Sequence, residues 1–201
     1  MDWHKALDIQ GWMEEPDLHW LYEQAKKMDT IVEIGSWKGR STTALCAGCK
    51  GMVYAVDHFL GSPTPWGWYN NHLNYTFDGT VEYFNLQKDA LPLDEPYEEF
   101  LKNTKGLTNL KVLKMTSKAA AASGEIPEKV DMVFLDSNHT FQNTLDDLGL
   151  WHPRATKLIC GHDYSEPWTQ VAVAQYFKFY GEQHDLASKD IWFQNKINLG
   201  G

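Results

Sequence analysis

A chain of 201 residues with 43% hydrophobic and 22% charged residues has the balance of one globular domain with a sizeable core, which excludes a disordered chain. Its formal net charge of -9 excludes tight, sequence-independent binding to nucleic acid phosphates. No apolar run approaches the roughly 18 residues that cross a bilayer, and Met1 to Lys5 lack the apolar core of a secretory leader, so no membrane contact and a cytoplasmic location are expected.

The first segment, about 1–29, reads as a helical cap on the core. Pro16 opens a helix whose Leu18, Leu21, Tyr22, Ala25 and Met28 fall on one face. The β-branched run from Thr30 to Ile34 predicts a buried strand. A turn with two glycines follows, Gly35 and Gly39, where a Cβ would block close approach of a ligand. A helix from about Arg40 to Cys49 then stops at Gly51. A strand that enters a helix through glycines is a nucleotide-type binding turn. Glu33, just before the first glycine, would repel a pyrophosphate and suits a ligand with an ammonium or sulfonium group. Cys46 and Cys49 lie in that helix, and with Cys160 they are the only cysteines. No second pair exists to complete a four-cysteine zinc site, so buried structural thiols are expected.

Met52 to Val56 predict a second strand that ends at Asp57. A carboxylate there can accept both ribose hydroxyls of a nucleoside, in dehydrogenases and methyltransferases alike. Residues 58–106 break the pattern. Turn residues alternate with Trp66, Trp68 and Tyr69, and a helix is expected from Pro96 to Asn103. This reads as a lid-like insertion over the active edge, too short and too poor in aliphatics to hold its own core. Alternation then resumes: a strand from Leu110 to Met115, an alanine-rich helix from Lys118 to Ser123, and an unbroken apolar strand from Val130 to Leu135. Thr140 caps a helix through Trp151, Lys157 to Cys160 form the next strand, Pro167 opens a helix, and Asp190 to Ile197 form the last strand. The expected fold is α/β, a Rossmann-like, doubly wound, mostly parallel seven-stranded sheet with helices on both faces and one domain over 1–201. Such sheets bind ligands outside the carboxyl ends of their strands.

Two clusters sit at such ends. One is Asp136-Ser137-Asn138-His139, and the other is His162-Asp163-Tyr164. If the two strands are neighbours, Asp136, His162 and Asp163 converge on one divalent cation. Carboxylates suit Mg²⁺, and an imidazole moves the preference towards Mn²⁺, Fe²⁺ or Zn²⁺.

The turn Glu33-Ile34-Gly35-Ser36-Trp37-Lys38-Gly39-Arg40-Ser41 departs from the dinucleotide pattern G-x-G-x-x-G. It resembles motif I of class I S-adenosylmethionine-dependent methyltransferases, in the variant of the catechol-type and macrolide-sugar-type O-methyltransferases. The resemblance runs from about Gly11 to Ile197, with no aligned motif in 63–105. It implies that Glu33, Gly35, Ser36, Gly39, Ser41, Asp57, Ser117 and Asp136 hold S-adenosylmethionine. Ser117 stands where the family contacts adenine, and Ser41 and the amides near Gly39 where the methionine carboxylate binds. It also implies a divalent metal, Mg or Mn, on Asp136 and Asp163, with His162 replacing the usual carboxylate. His139 stands where these enzymes carry a lysine or histidine base, and histidine titrates near neutrality. Asp136 and His139 are thus the catalytic pair, and Trp37 and Trp168 line the mouth with the insertion's aromatics. The implied reaction is O-methylation of a small-molecule hydroxyl on a sugar or phenol. The alternatives are a metal-independent methyltransferase with His139 acting alone, a non-catalytic nucleoside-binding domain, and a metal-dependent hydrolase or oxygenase on a Rossmann-like sheet. An acidic chain with aromatic surface is compatible with a homo-oligomer.

Overall fold

The strands of this computed structural model follow from the apolar runs of the sequence. It describes residues 2–60 and 95–196, together with the backbone of 73–75 and 81–83. In chain order the strands are β1 (Thr30–Ile34), β2 (Met52–Asp57), β3 (Leu73–Tyr75), β4 (Val81–Tyr83), β5 (Leu110–Lys114), β6 (Val130–Leu135), β7 (Ala155–Gly161), β8 (Asp185–Leu186) and β9 (Trp192–Asn195). The helices are α1 (Glu15–Ala25), α2 (Arg40–Gly48), α3 (Glu95–Asn103), α4 (Ser117–Ala122), α5 (Phe141–Trp151) and α6 (Pro167–Phe179), preceded by a 3-10 turn at Trp3–Asp8.

Seven strands form one sheet in the order β5-β2-β1-β6-β7-β9-β8. The first five are parallel. β9 runs antiparallel to β7, and β8 antiparallel to β9. β3 and β4 form a separate antiparallel pair. The chain runs outward from β1 through β2 to β5, then returns to place β6 on the other side of β1. That reversal opens a crevice at the carboxyl ends of β1 and β6, where open α/β sheets bind ligands.

The period-2 alternation of the strands assigns their side chains to two cores. Ile31, Met132, Phe134, Leu158 and Cys160 pack against Leu18, Leu21, Ala25, Ala44 and Leu45 of α1 and α2. Val32, Ile34, Val133, Leu135 and Ile159 pack on the other face against Ala120, Leu148, Trp151, Val173 and Phe177. The expected cap helix ends at Ala25, and Met28 beyond it is still buried. The last strand is shorter than expected, Trp192–Asn195, and Ile197 lies outside the described residues. Cys46, Cys49 and Cys160 are buried and free, and burial raises each thiol's pKa, so they are inert packing groups.

Arg40 fastens the N-terminal cap to the sheet. Its Nε donates to the Met13 carbonyl at 3.0 Å, and its Nη1 to the carbonyls of Ala6, Leu7 and Ile9 at 3.2, 3.1 and 2.6 Å. The planar guanidinium serves several acceptors at once, which a lysine ammonium on a flexible stem cannot reproduce. Arg40→Lys is expected to cost about 2 kcal/mol in urea unfolding and to expose residues 3–13 to limited proteolysis.

Candidate functional site

The turn after β1 is built by contacts within the protein. Gly35 and Gly39 both have φ of 89°, a region that favours glycine. Close approach of a ligand is the expected reason, and contacts within the protein supply a further one. A Cβ on Gly35 would lie 2.0 Å from the Asp136 carbonyl oxygen at the end of β6. A Cβ on Gly39 would lie 2.8 Å from Thr104 Cγ2 and 3.2 Å from the Phe100 ring, where α3 packs. The glycines bring β1, β6 and α3 together around the crevice.

Glu33 faces the protein interior. It shares the strand face of Ile31, is fully buried, and accepts hydrogen bonds from the hydroxyls of Ser36 (2.7 Å), Ser41 (2.6 Å) and Thr42. The direct contact expected of Glu33 with a sulfonium or ammonium is therefore corrected. Glu33 ties β1 to the first turn of α2, and the hydroxyls of Ser36 and Ser41 are spent on it. Burial pushes its carboxyl up to about 7, against the three hydroxyls that favour the charged form. This has a sign. A carboxyl with a raised folded-state pKa gives stability that is fully present below about 4.5 and lost as pH rises through about 7. Glu33→Gln stays neutral throughout. The difference in unfolding free energy, wild type minus Glu33→Gln, should therefore fall by about 3 kcal/mol between pH 4.5 and 7.5 in urea titrations.

Asp57 also acts on the turn. Its carboxylate accepts the N–H groups of Ser36 (2.9 Å), Trp37 (2.8 Å) and Phe59 (2.6 Å), with its side chain 14% exposed. A carboxylate offers about four acceptor directions. Asp57 can thus take one ribose hydroxyl, not the expected two. The turn amides are already occupied by an acid, which disfavours a pyrophosphate at this place.

At the edge of the crevice, Thr116 caps α4 and Ser117 begins it. The Ser117 hydroxyl donates to Asp147 Oδ1 and accepts from the indole N–H of Trp151 at 2.8 Å. α2 has Gly39 as its N-cap, and no side chain among the described residues caps its first amides.

The ends of β6 and β7 are neighbours, with Leu135 opposite Gly161. This brings Asp136, His162 and Asp163 together, with ligand atoms within 4.8 Å of one another. His162 Nδ1 lies 3.2 Å from Asp163 Oδ2 and 3.7 Å from Asp136 Oδ1. His139 Nδ1 lies 3.2 Å from Asp163 Oδ2, and its side chain is 42% exposed. Asp163 holds this position with φ of 55°. Burial pushes the Asp136 carboxyl up to about 7, opposed by the neighbouring His162. Burial alone would lower His162, but the Asp163 hydrogen bond and the charges of Asp136, Asp163 and Asp17 carry it to about 9. Burial likewise opposes ionisation of Asp163, yet His162 and His139 hold it below its ordinary value.

Sequence reasoning missed two residues here. Asp17, in the first turn of α1, places Oδ2 3.9 Å from His162 Nε2. Asp190, before β9, completes a second cluster with Asp17 and His162. Both are remote in sequence from the β6 and β7 tips. The negative charge of α1's first turn is the one sequence signal, and it reads equally as helix-dipole pairing. Trp37 stacks on Trp12 at 4.5 Å, and Trp168 stands 60% exposed at the start of α6. Thr140 is the α5 cap and Tyr164 a packing residue bonded to His184, as expected. Trp66, Trp68 and Tyr69 lie outside the described residues. Among the described residues, no helix is long and apolar enough to cross a membrane.

This strand order, with a glycine turn at its reversal and an acid ending the second strand, defines the class I methyltransferase fold. A family model described as a methyltransferase domain matches residues 32–164. The chain belongs to that family and is a class I methyltransferase, the class whose methyl donor is S-adenosylmethionine. An O-methyltransferase from Bacillus cereus, solved in complex with SAH, is similar with a TM-score of 0.60 and 13% identity, over 96% of this chain and 87% of that one. TomG, an O-methyltransferase from Streptomyces achromogenes involved in tomaymycin synthesis and solved with SAM, gives 0.60 and 10% over 97% and 86%. A methyltransferase from Geobacter sulfurreducens gives 0.60 and 11% over 92% and 80%. At these identities the likeness is one of fold. No curated protein matches the chain in sequence.

Proposed function

We propose that this chain is an S-adenosylmethionine-dependent O-methyltransferase acting on a small-molecule hydroxyl, with His139 as general base and Asp136, His162 and Asp163 as holders of a divalent cation. The observation that carries the proposal is the convergence of His139, Asp163, His162 and Asp136 at the β6 and β7 tips, beside the glycine turn. The residues present fit the cofactor. The uncapped start of α2 suits a carboxylate. Asp57 retains acceptor capacity for one ribose hydroxyl, and Ser117, the first residue of α4, would face the base.

The chemistry follows from the side chains. Asp163 engages His139 Nδ1 and so sets the proton there, which leaves Nε2 as the basic atom. His139 Nε2 would take the proton from the acceptor hydroxyl; S-adenosylmethionine, when bound, would supply the methyl group, its S–C bond breaking as the O–C bond forms and S-adenosylhomocysteine leaving. Much of the rate comes from alignment of two bound reactants. The donor set of two carboxylates and one imidazole suits a divalent cation, which when bound lowers the pKa of an acceptor hydroxyl.

A second reading drops the metal. His162 has carboxylates facing both ring nitrogens, Asp163 at 3.2 Å and Asp17 at 3.9 Å, so an imidazolium can offset part of the negative charge of this edge without a metal. The test is methyl transfer from labelled S-adenosylmethionine to a panel of phenols and sugars, before and after chelation. The metal reading expects loss of transfer with EDTA and recovery with Mg²⁺ or Mn²⁺. Unchanged transfer in EDTA selects the second reading, and no transfer to any hydroxyl acceptor removes the O-methylation assignment.

A further inference from the structure

Asp17 is a buried acid that the proposed chemistry does not use. Its side chain is 8% exposed and accepts no hydrogen bond among the described residues. Its Oδ2 faces His162 Nε2 across 3.9 Å, beyond hydrogen-bond reach. A buried carboxyl group without hydrogen bonds is costly to keep, so it calls for a partner. Asp190 has a similar deficit. Its Oδ2 meets the exposed Lys189 ammonium at 3.5 Å, but its Oδ1 is buried with no hydrogen-bond partner. One ligand atom each from Asp17, His162 and Asp190 lies within 4.8 Å of the others.

Three segments distant in sequence supply these atoms, and each is anchored. Asp17 stands in the first turn of α1, whose Leu18 and Leu21 are fixed in the core. His162 follows the last residue of β7. Asp190 precedes β9, with its carbonyl on the Tyr164 N–H at 3.0 Å and its own N–H on Ser188 Oγ at 3.1 Å. A ligand set on anchored backbone is preorganised.

The ring of His162 gives the set a direction. A neutral imidazole has one N–H and one lone pair. Nδ1 faces Asp163 at 3.2 Å and Asp136 at 3.7 Å, closer than Nε2 faces Asp17. The N–H of a neutral ring therefore belongs on Nδ1, and the lone pair on Nε2 points toward Asp17. Metal-bound histidines hold their second nitrogen against a carboxylate in this way. A divalent cation cancels the charge of two carboxylates. Binding also displaces ligand protons, so the site does not depend on the charge of these acids beforehand.

We propose that Asp17, His162 Nε2 and Asp190 form a structural site for a divalent transition-metal ion such as zinc, which clamps the N-terminal cap to the β7 tip and to the segment before β9. One imidazole and two carboxylates, with water as the fourth ligand, make a donor set that zinc accepts. Ligand atoms around a tetrahedral zinc ion stand roughly 3.4 Å apart, so the 3.9 Å between Asp17 and His162 needs little closing. The site goes beyond the catalytic reading and does not rest on it. A cation on Nε2 leaves Asp136 and Asp163 as the protein ligands of the catalytic one.

The test is calorimetric titration of chelator-stripped protein with zinc chloride, beside urea unfolding with and without zinc. Wild type should bind a zinc ion saturably. Asp17→Asn and Asp190→Asn should each weaken it by about 100-fold or more, and Asp136→Asn, which touches the catalytic cluster alone, by less than about tenfold. Zinc should raise the urea midpoint of wild type and of Asp136→Asn, and leave that of Asp17→Asn and Asp190→Asn unchanged. Asp190→Asn carries the test if Asp17→Asn fails to fold. Zinc affinity kept in Asp17→Asn and Asp190→Asn but lost in Asp136→Asn would move the ion to the catalytic cluster and overturn the proposal. So would the absence of saturable zinc binding by wild type. If Asp17 is only a counter-charge to His162, zinc leaves the wild-type midpoint unchanged while Asp17→Asn lowers it in chelator, and that result also overturns the site.

Discussion

Replacing His139 by alanine should lower methyl transfer by roughly 10²- to 10⁴-fold, the range for loss of a general base. The residue is 42% exposed and faces Asp163 across 3.2 Å, so its removal leaves the core intact. S-adenosylhomocysteine affinity and the urea midpoint should stay at wild-type values. A fall in kcat without loss of cofactor binding is what removal of a proton acceptor produces, since that interaction is made only as the acceptor oxygen loses its proton. Unchanged kcat in a folded variant would show that the hydroxyl is deprotonated without His139. The structural reason for choosing this histidine over His162 is direct. His162 is buried between acids, whereas His139 stands at the mouth with one ring nitrogen facing Asp163 and the other without a polar partner among the described residues.

Gly35→Ala should cost about 4 kcal/mol or more, a large share of the stability of an ordinary domain. Two effects add. A φ of 89° is unfavourable for alanine, at about 1–2 kcal/mol. The new Cβ would also stand 2.0 Å from the Asp136 carbonyl oxygen, a backbone atom that cannot turn aside. Relief requires separating β1 from the tip of β6, where Asp136 N–H donates to the Ile34 carbonyl at 2.8 Å. Gly124→Ala is the control. It shares the positive φ, at 73°, but a Cβ there meets nothing within 4 Å. It should cost about 1 kcal/mol. Similar urea midpoints for the two variants would mean that the close approach of β1 and β6 is not what Gly35 is needed for.

The sheet was legible because its central strands are apolar on both faces. Thr30–Ile34 and Val130–Leu135 fall where their β-branched and apolar runs predict. The edge was less legible. β8 has two exposed residues and no apolar pattern, and its pairing depends on β9. In the site, the positions of the acids could be read but not their directions. Glu33 stands where a cofactor acid is expected, yet it alternates with Val32 and Ile34 onto the α2 face, and Ser41 and Thr42 arrive there from the next helix. Gly35 is needed because of a carbonyl about one hundred residues away, which no local pattern reports. Asp57 was placed correctly at the strand end, but its bonds to the turn amides depend on how the turn folds back. The pairing of His139 with Asp163 was readable only through the adjacency of two strand ends. Asp17 entered from the cap, whose docking is set by Arg40 rather than by any pattern in α1.

The central claim is that the crevice at the β1, β2 and β6 tips holds an S-adenosyl nucleoside. The most direct measurement is calorimetric titration of the purified chain with S-adenosylhomocysteine and, in parallel, with NAD. Saturable one-to-one binding of S-adenosylhomocysteine, with no heat from NAD, is the predicted result. Binding of NAD in place of S-adenosylhomocysteine, or of neither, would contradict it.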